Sequence, residues 1–160
     1  MKVYTVQHNN FLNIRDLDGF IAPEYHESEA FFKKNKNDFY YNENCTQALL
    51  WMKNEYAKFT KRSQVEDFYL IWVWPTIQSI DWRYIPKGYS VYEFEVPAKE
   101  YMSAILWSNF IDWHLPLNGY EKEYWSNIFD INVKLNKKEA QGVTTRLNTH
   151  WLCRRIKKEK

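Results

Sequence analysis

The sequence predicts a single α+β domain in which a small mixed or antiparallel sheet packs with three to four helices. Three observations predict it. The chain has 160 residues, a length that closes one hydrophobic core rather than two. Apolar residues recur with period two, or as an unbroken run, in some stretches and at spacings of three and four in others. These strand-like and helix-like stretches do not follow the strict alternation of a parallel βαβ sheet. No repeat, low-complexity tract or linker divides residues 1–160.

Each element has its own warrant. Residues 2–8, KVYTVQH, alternate and read as an opening strand. Phe11, Leu12, Ile14 and Leu17 fall at helical spacing after an Asn cap, with Gly19 ending the turn. Residues 22–43, with Pro23 and the polar KKNKND, read as a loop. Asn44 and Gln47 open a helix to about Arg62, whose buried face carries Ala48, Met52, Tyr56 and Phe59 with Trp51 at its edge. From Asp67, the run FYLIWVW closed by Pro75 reads as a central strand buried on both faces. A connection ending at Pro86 and Gly88 leads to a second alternating strand, 89–96, with Tyr92, Phe94 and Val96 on one face and Glu93 and Glu95 on the solvated other. Residues 99–114 read as a helix, 116–119 as a turn, 124–129 as a short helix and 142–156 as a last strand.

Composition excludes several function classes. Four glycines, Gly19, Gly88, Gly119 and Gly142, are too scattered for a dinucleotide-binding or phosphate-loop fingerprint. The net charge is +2, and residues 154–160, RRIKKEK, carry +4 of it, so the body sums to −2. A near-neutral body argues against a dedicated nucleic-acid binder, because affinity follows the number of phosphates neutralised. The basic tail reads as a solvated, fraying end. Two cysteines, Cys45 and Cys153, give neither a disulfide framework nor a CxxC site. His8, His26 and His150 lack metal-ligand spacing, so no metal and no cofactor are expected. With no signal peptide and no long apolar segment, the expected setting is cytoplasmic and away from membranes.

Seven words carry a family resemblance: YTVQ at 4–7, ALLWM at 48–52, IWVW at 71–74, DWR at 81–83, EFEVP at 93–97, SNFIDWHLPLN at 108–118 and WSNIFDIN at 125–132. In this order, and across nearly the whole chain, they resemble the bacterial and phage domain of unknown function 3841. The resemblance implies the fold, a cytosolic setting and a bacterial or phage source; it implies no chemistry. Asn109 stands where that family has an acidic residue, and Asn148 where it has Gln.

Three constellations are candidates for chemistry. His114, with Asn118 and Asn109 nearby, has the side chain for acid–base work near neutral pH; the competing reading is a histidine at a helix end bonded to backbone. Asp81 and Arg83 point the same way along an extended connection, about 6.5–7 Å apart, a spacing that suits two groups on one ligand. There Arg83 offers a fork for phosphate or carboxylate, and Trp72 or Trp74 a surface on which a base stacks. A structural ion pair is the alternative. Thr5 and Gln7 share one face of the first strand, as ligand contacts or as partners for nearby backbone. Glu93-x-Glu95 is similar to part of the catalytic signature of arginine-directed ADP-ribosyltransferases, but no Ser-Thr-Ser word precedes it, and it reads as a solvated strand face.

The leading expectation is a binding domain for a partner protein or a nucleotide-like ligand. Its site comprises Thr5, Gln7, Trp72, Trp74, Asp81, Arg83, His114 and Asn118. The first alternative is an enzyme of nucleotidyl- or ADP-ribosyl-transfer type with His114 as acid–base and Arg83 as anion clamp. That requires His114, Arg83 and Thr5 or Gln7 to converge in one pocket. The second alternative is weak nucleic-acid binding through the tail.

Overall fold

The structure, a computed structural model, describes residues 1–21, 43–61 and 70–157. Of the expected loop at 22–43, residues 22–42, with His26, lie outside the described residues, as do the start of the apolar run at 67–69 and the last residues of the tail; residue 43 already begins a helix. Two antiparallel three-stranded sheets and their packed helices form the α+β domain. In the first sheet β3 (Tyr89–Glu95) is central, paired along its length with β1 (Lys2–His8) and on its other side with β6 (Leu152–Ile156). In the second, β5 (Ala140–Thr144) lies between β2 (Ile71–Val73) and β4 (Leu106–Asn109).

One short bridge joins the sheets. Tyr4 N–H donates to the Trp74 carbonyl and Trp74 N–H to the Tyr4 carbonyl, both at 2.8 Å. One residue on, the Thr5 hydroxyl donates to the Trp72 carbonyl at 2.7 Å. Strand β1 therefore serves both sheets, and Val3, Tyr4 and Thr5 are all buried, although successive strand residues point to opposite faces. Val3 enters the main core with Tyr92, Phe94, Tyr101 and Trp107. Tyr4 enters a second cluster with Ile80, Ile85 and Val91.

Helix α1 (Glu43–Phe59) closes the third cluster. Ala48, Met52 and Tyr56, one turn apart, are buried against Trp113, Trp125, Ile128 and Val143. Trp51, half-buried beside them, meets Trp113, Trp125 and Phe129 at 5.0–5.9 Å between ring centres. Such tilted and edge-on contacts suit the aromatic quadrupole. The Tyr56 hydroxyl donates to the Ala104 carbonyl, tying the helix to α2 (Ala98–Ser103). The helix ends three residues before the expected Arg62, with Lys61 left-handed at φ 56°.

Several sequence expectations are corrected. The stretch 99–114 is not one helix: α2 stops at Ser103 and the chain turns into β4. Pairing of Trp107 with Gly142 outweighs local helical spacing, and Met102 and Phe110 are left exposed. The described part of the apolar run, 70–74, yields the strand Ile71–Val73 at the sheet margin, not a central one. The last strand is two, β5 and β6, in different sheets, separated by a 3₁₀ turn at Thr149–Trp151. Of residues 11–17 only Phe11–Asn13 form a 3₁₀ turn, and Leu17 is fully exposed. There the Asp16 carboxylate accepts the Asp18 and Phe20 N–H groups, and Gly19 takes φ +83°. The segment Lys122–Phe129 is 3₁₀. Next to it, α3 (His114–Leu117) accommodates Pro116. Arg154 and Arg155 belong to β6, not to a frayed tail.

Glu93 is the sharpest correction to the idea of a solvated face. It is 2% exposed, with Lys2 Nζ 2.9 Å from one carboxylate oxygen and Arg154 Nη2 2.9 Å from the other. Burial alone would raise its pKa, but hydrogen bonds from Lys2 and Arg154 outweigh it and hold the carboxyl below its ordinary value. A carboxyl depressed in the folded state stabilises the fold above its unfolded pKa. That stabilisation is lost as pH falls through the folded value.

Two predictions follow from this packing. Glu93→Gln lowers stability at neutral pH by about 1–3 kcal/mol and flattens the loss of stability below the ordinary value of 4.5; urea titrations at pH 3, 4 and 7 check it, and an unchanged acid limb would refute the role of Glu93. Gly142→Ala places a Cβ 2.6 Å from Ile105 Cγ2 and 2.8 Å from Trp107 Cε3, so overpacking costs about 1–3 kcal/mol, read as a lower melting temperature.

Candidate functional site

The structure distributes the sequence-predicted residues among structural roles. Thr5 is fully buried, and its hydroxyl, besides donating to Trp72, accepts from Gln7 Nε2 at 3.0 Å. The pair fixes the crossing of β1 and β2. Trp72 packs edge-on to Trp113 at 5.6 Å in the cluster under α1. Trp74 packs instead with Tyr4 and Val91. The two indoles therefore serve different clusters and form no common stacking surface.

Asp81 and Arg83 do meet, as an ion pair. A 3₁₀ turn at Trp82–Tyr84, rather than an extended strand, curls Arg83 back so that Nη2 lies 2.6 Å from Asp81 Oδ2. Asp81 also accepts the Arg83 N–H at 3.0 Å. The hydrogen bond and the charge of Asp81 raise the guanidinium pKa further. Arg83 is exposed, and Trp82 packs on the Tyr4 cluster.

His114 is exposed. Its Nδ1 lies 2.7 Å from the Ile111 carbonyl, and Asn118 Nδ2 donates to the His114 carbonyl at 2.7 Å. Trp113, immediately before it, belongs to the cluster under α1. His114 and Arg83 are thus attached to different clusters, each engaged by its own turn. Neither of them, nor Thr5 or Gln7, lines either of the two clefts described next.

The larger cleft, about 430 Å³, lies where β3 begins and β6 ends. Lys87, Arg155 and Lys157 supply its cations, Asn9 and Ser90 its polar groups, and Ile85, Pro86, Gly88 and Tyr89 the rest of its wall. Among the described residues, no carboxylate lines it. The ion pairs among the described residues leave these three cations unengaged. The other cleft, about 320 Å³, contains Lys61 and Arg146 but also Glu100, which pairs with Arg146 at 3.4 Å.

The large cleft is built rather than incidental. Ser90, 1% exposed, accepts from Arg155 Nε at 3.0 Å and donates to Asn9 Oδ1 at 2.8 Å. This chain of polarised bonds fixes the guanidinium by one nitrogen and leaves the terminal nitrogens as donors. The guanidinium carbon stands 6.0 Å from the centre of the Tyr92 ring, and the Tyr92 hydroxyl anchors the Asn9 carbonyl at 3.3 Å. Burial raises the pKa of that hydroxyl, with Arg155 pulling the other way. The wall turn, Pro86–Tyr89, is closed by Tyr89 N–H to the Pro86 carbonyl at 3.2 Å, with Gly88 at φ +88°.

Asn9, Ser90, Arg155 and Lys87 are the residues that sequence reasoning missed. They come from chain positions about 80 and 65 residues apart, and only the pairing of β1 and β6 with β3 brings them together. The one local signal was the concentration of positive charge at 154–160, assigned there to a solvated end. No groups of three or more potential metal ligands occur among the described residues, and no helix among them is long and apolar enough to cross a membrane. No protein-family profile, curated protein or solved structure matches the chain.

Thr5→Val tests the structural role assigned to Thr5. It leaves the Trp72 carbonyl and the Gln7 amide without a partner and lowers stability by about 1–2 kcal/mol; a urea midpoint equal to that of the parent would contradict it.

Proposed function

We propose that the protein is a binding module for a compact, multiply charged anion, held in the cleft between β3 and β6. One observation carries the reading: Arg155 is aimed by a buried serine into a cleft that holds, among the described residues, two further cations and no carboxylate. A guanidinium already fixed by Nε loses little rotamer freedom when it grips an oxyanion, so more of the interaction energy goes into binding. Lys87 and Lys157 add point charges that tolerate phosphate or carboxylate. The cleft volume of about 430 Å³ falls within the range of small-molecule sites. Membership of the domain of unknown function 3841 family, and the bacterial or phage cytoplasmic setting it implies, belong to the same proposal.

This reading favours a binding domain over the transfer enzyme. Acid–base catalysis there relied on His114 and Arg83 in one pocket, and each is instead held by its own turn. It also changes the part assigned to the tail: Arg155 and Lys157 act as one wall of a cleft, not as a free basic end.

Calorimetric titration of the full chain with inorganic tripolyphosphate tests the proposal. Binding is expected, weakening as salt rises from 50 to 300 mM. Arg155→Gln reduces it about 10- to 100-fold, as loss of hydrogen bonds to a charged group requires. Absence of binding to the parent chain, or equal binding by the variant, overturns the proposal.

A further inference from the structure

The cleft stands at one end of a sheet edge. Strand β6 pairs with β3 on one side and, among the described residues, with no strand on the other. Besides its bonds to β3, its backbone enters no backbone hydrogen bond among those residues. Such an edge offers a row of N–H and C=O groups to an extended chain. The half of β6 next to the cleft is regular: Arg154, Arg155 and Ile156 stand in unbroken register with Glu93, Tyr92 and Val91, and the irregularity lies beyond Arg154. Resting on the anion-binding reading above, we propose that the anion is a phosphorylated side chain of a partner protein, and that the residues following it add to β6 as an antiparallel strand.

Charge selects the anchor. Arg155, Lys87 and Lys157 meet in one cleft, more positive charge than a single carboxylate matches. A phosphoserine brings close to two negative charges and three acceptor oxygens, enough for a guanidinium fork and two ammonium groups. Arg154, on the opposite face of the strand, is already neutralised by Glu93 at 2.9 Å, so the edge demands a negative charge at its cleft end alone. The polarity follows from the sheet. Both pairings of β3 are antiparallel, and β6 ends at the cleft, so an antiparallel newcomer starts there and carries its phosphate at the N-terminal end of the paired segment. The same charges exclude a second copy, whose β6 would set Arg154 and Arg155 against their own equivalents. A single-stranded nucleic acid supplies phosphates but has no backbone row to match a strand edge.

Calorimetric titration of the full chain at one salt concentration compares acetyl-pSer-Thr-Val-Thr-Val-amide with acetyl-phosphoserine amide, with the reversed acetyl-Val-Thr-Val-Thr-pSer-amide and with tripolyphosphate. The first peptide is expected to bind about tenfold tighter than acetyl-phosphoserine amide, the gain that a few backbone hydrogen bonds supply, and tighter than the reversed peptide. N-methylation of one alternate set of its amides removes the gain; methylation of the other set, which faces away from β6, spares it. If tripolyphosphate binds but the peptide binds no tighter than acetyl-phosphoserine amide, or both methylated sets behave alike, the strand assignment fails and the anion site stands. If neither tripolyphosphate nor the peptide binds, both fail. Equal binding by the unphosphorylated peptide, or tighter binding by a short single-stranded oligonucleotide, also overturns the assignment. So does a dimer in sedimentation that excludes the peptide, which places a second copy on the edge.

Discussion

The whole architecture depends on β1, an edge strand of the first sheet, being bridged to the second. Neither three-stranded sheet encloses a core alone, since a small sheet buries one face only when something covers it. The reciprocal Tyr4–Trp74 backbone bonds and the Thr5–Trp72 bond hold β2 against β1. With that junction in place Val3 and Tyr4 point into two different apolar clusters. Remove it and β2 loses its contact with the first sheet, leaving β5 as its strand partner among the described residues. A buried hydroxyl at position 5 is therefore structural for the same reason that it looked like a ligand group: a polar side chain inside must find a partner.

The sequence made the fold class and several elements legible, for identifiable reasons. The strands at 2–8 and 89–95 and the α1 face Ala48–Met52–Tyr56 have strong periods, and each sits where the period put it. The failures cluster where long-range pairing overrides local pattern. Trp107 and Ser108 have helical neighbours in sequence, yet Gly142 offers a side-chain-free strand for Trp107 to lie across. The apolar run before Pro75 suggested a buried centre, but Trp72 and Trp74 stay half-exposed while Ile71 and Val73 go inside. A Glu-x-Glu pattern on a strand signals a wet face only if no cation crosses over it; Lys2 and Arg154 do so from the two flanking strands.

The candidate site was less legible than the fold, because its parts are remote in sequence. Local proximity correctly joined Asp81 with Arg83, and His114 with Asn118, and in both cases the short spacing led to a self-contained turn. Groups that satisfy each other within four residues have less left to offer a ligand. Arg155 has no acidic neighbour within reach on its own strand, and its Nε is met by a neutral hydroxyl. An arginine oriented without being neutralised is the feature that distinguishes the β3–β6 cleft from the turns first considered.

Strand β6 closes one margin of the first sheet, and three of its five residues, Cys153, Arg154 and Arg155, are exposed. An outer strand is a template for unwanted pairing with another chain, and cationic side chains are the usual guard. Here the guard is divided in labour: Arg154 is tethered inward to Glu93, while Arg155 leans over Tyr92 toward Ser90. The residue proposed to grip an anion is thus also one that guards the sheet edge. Changes at position 155 act on colloidal behaviour as well as on recognition, and solubility belongs beside affinity in the assessment of any variant made there.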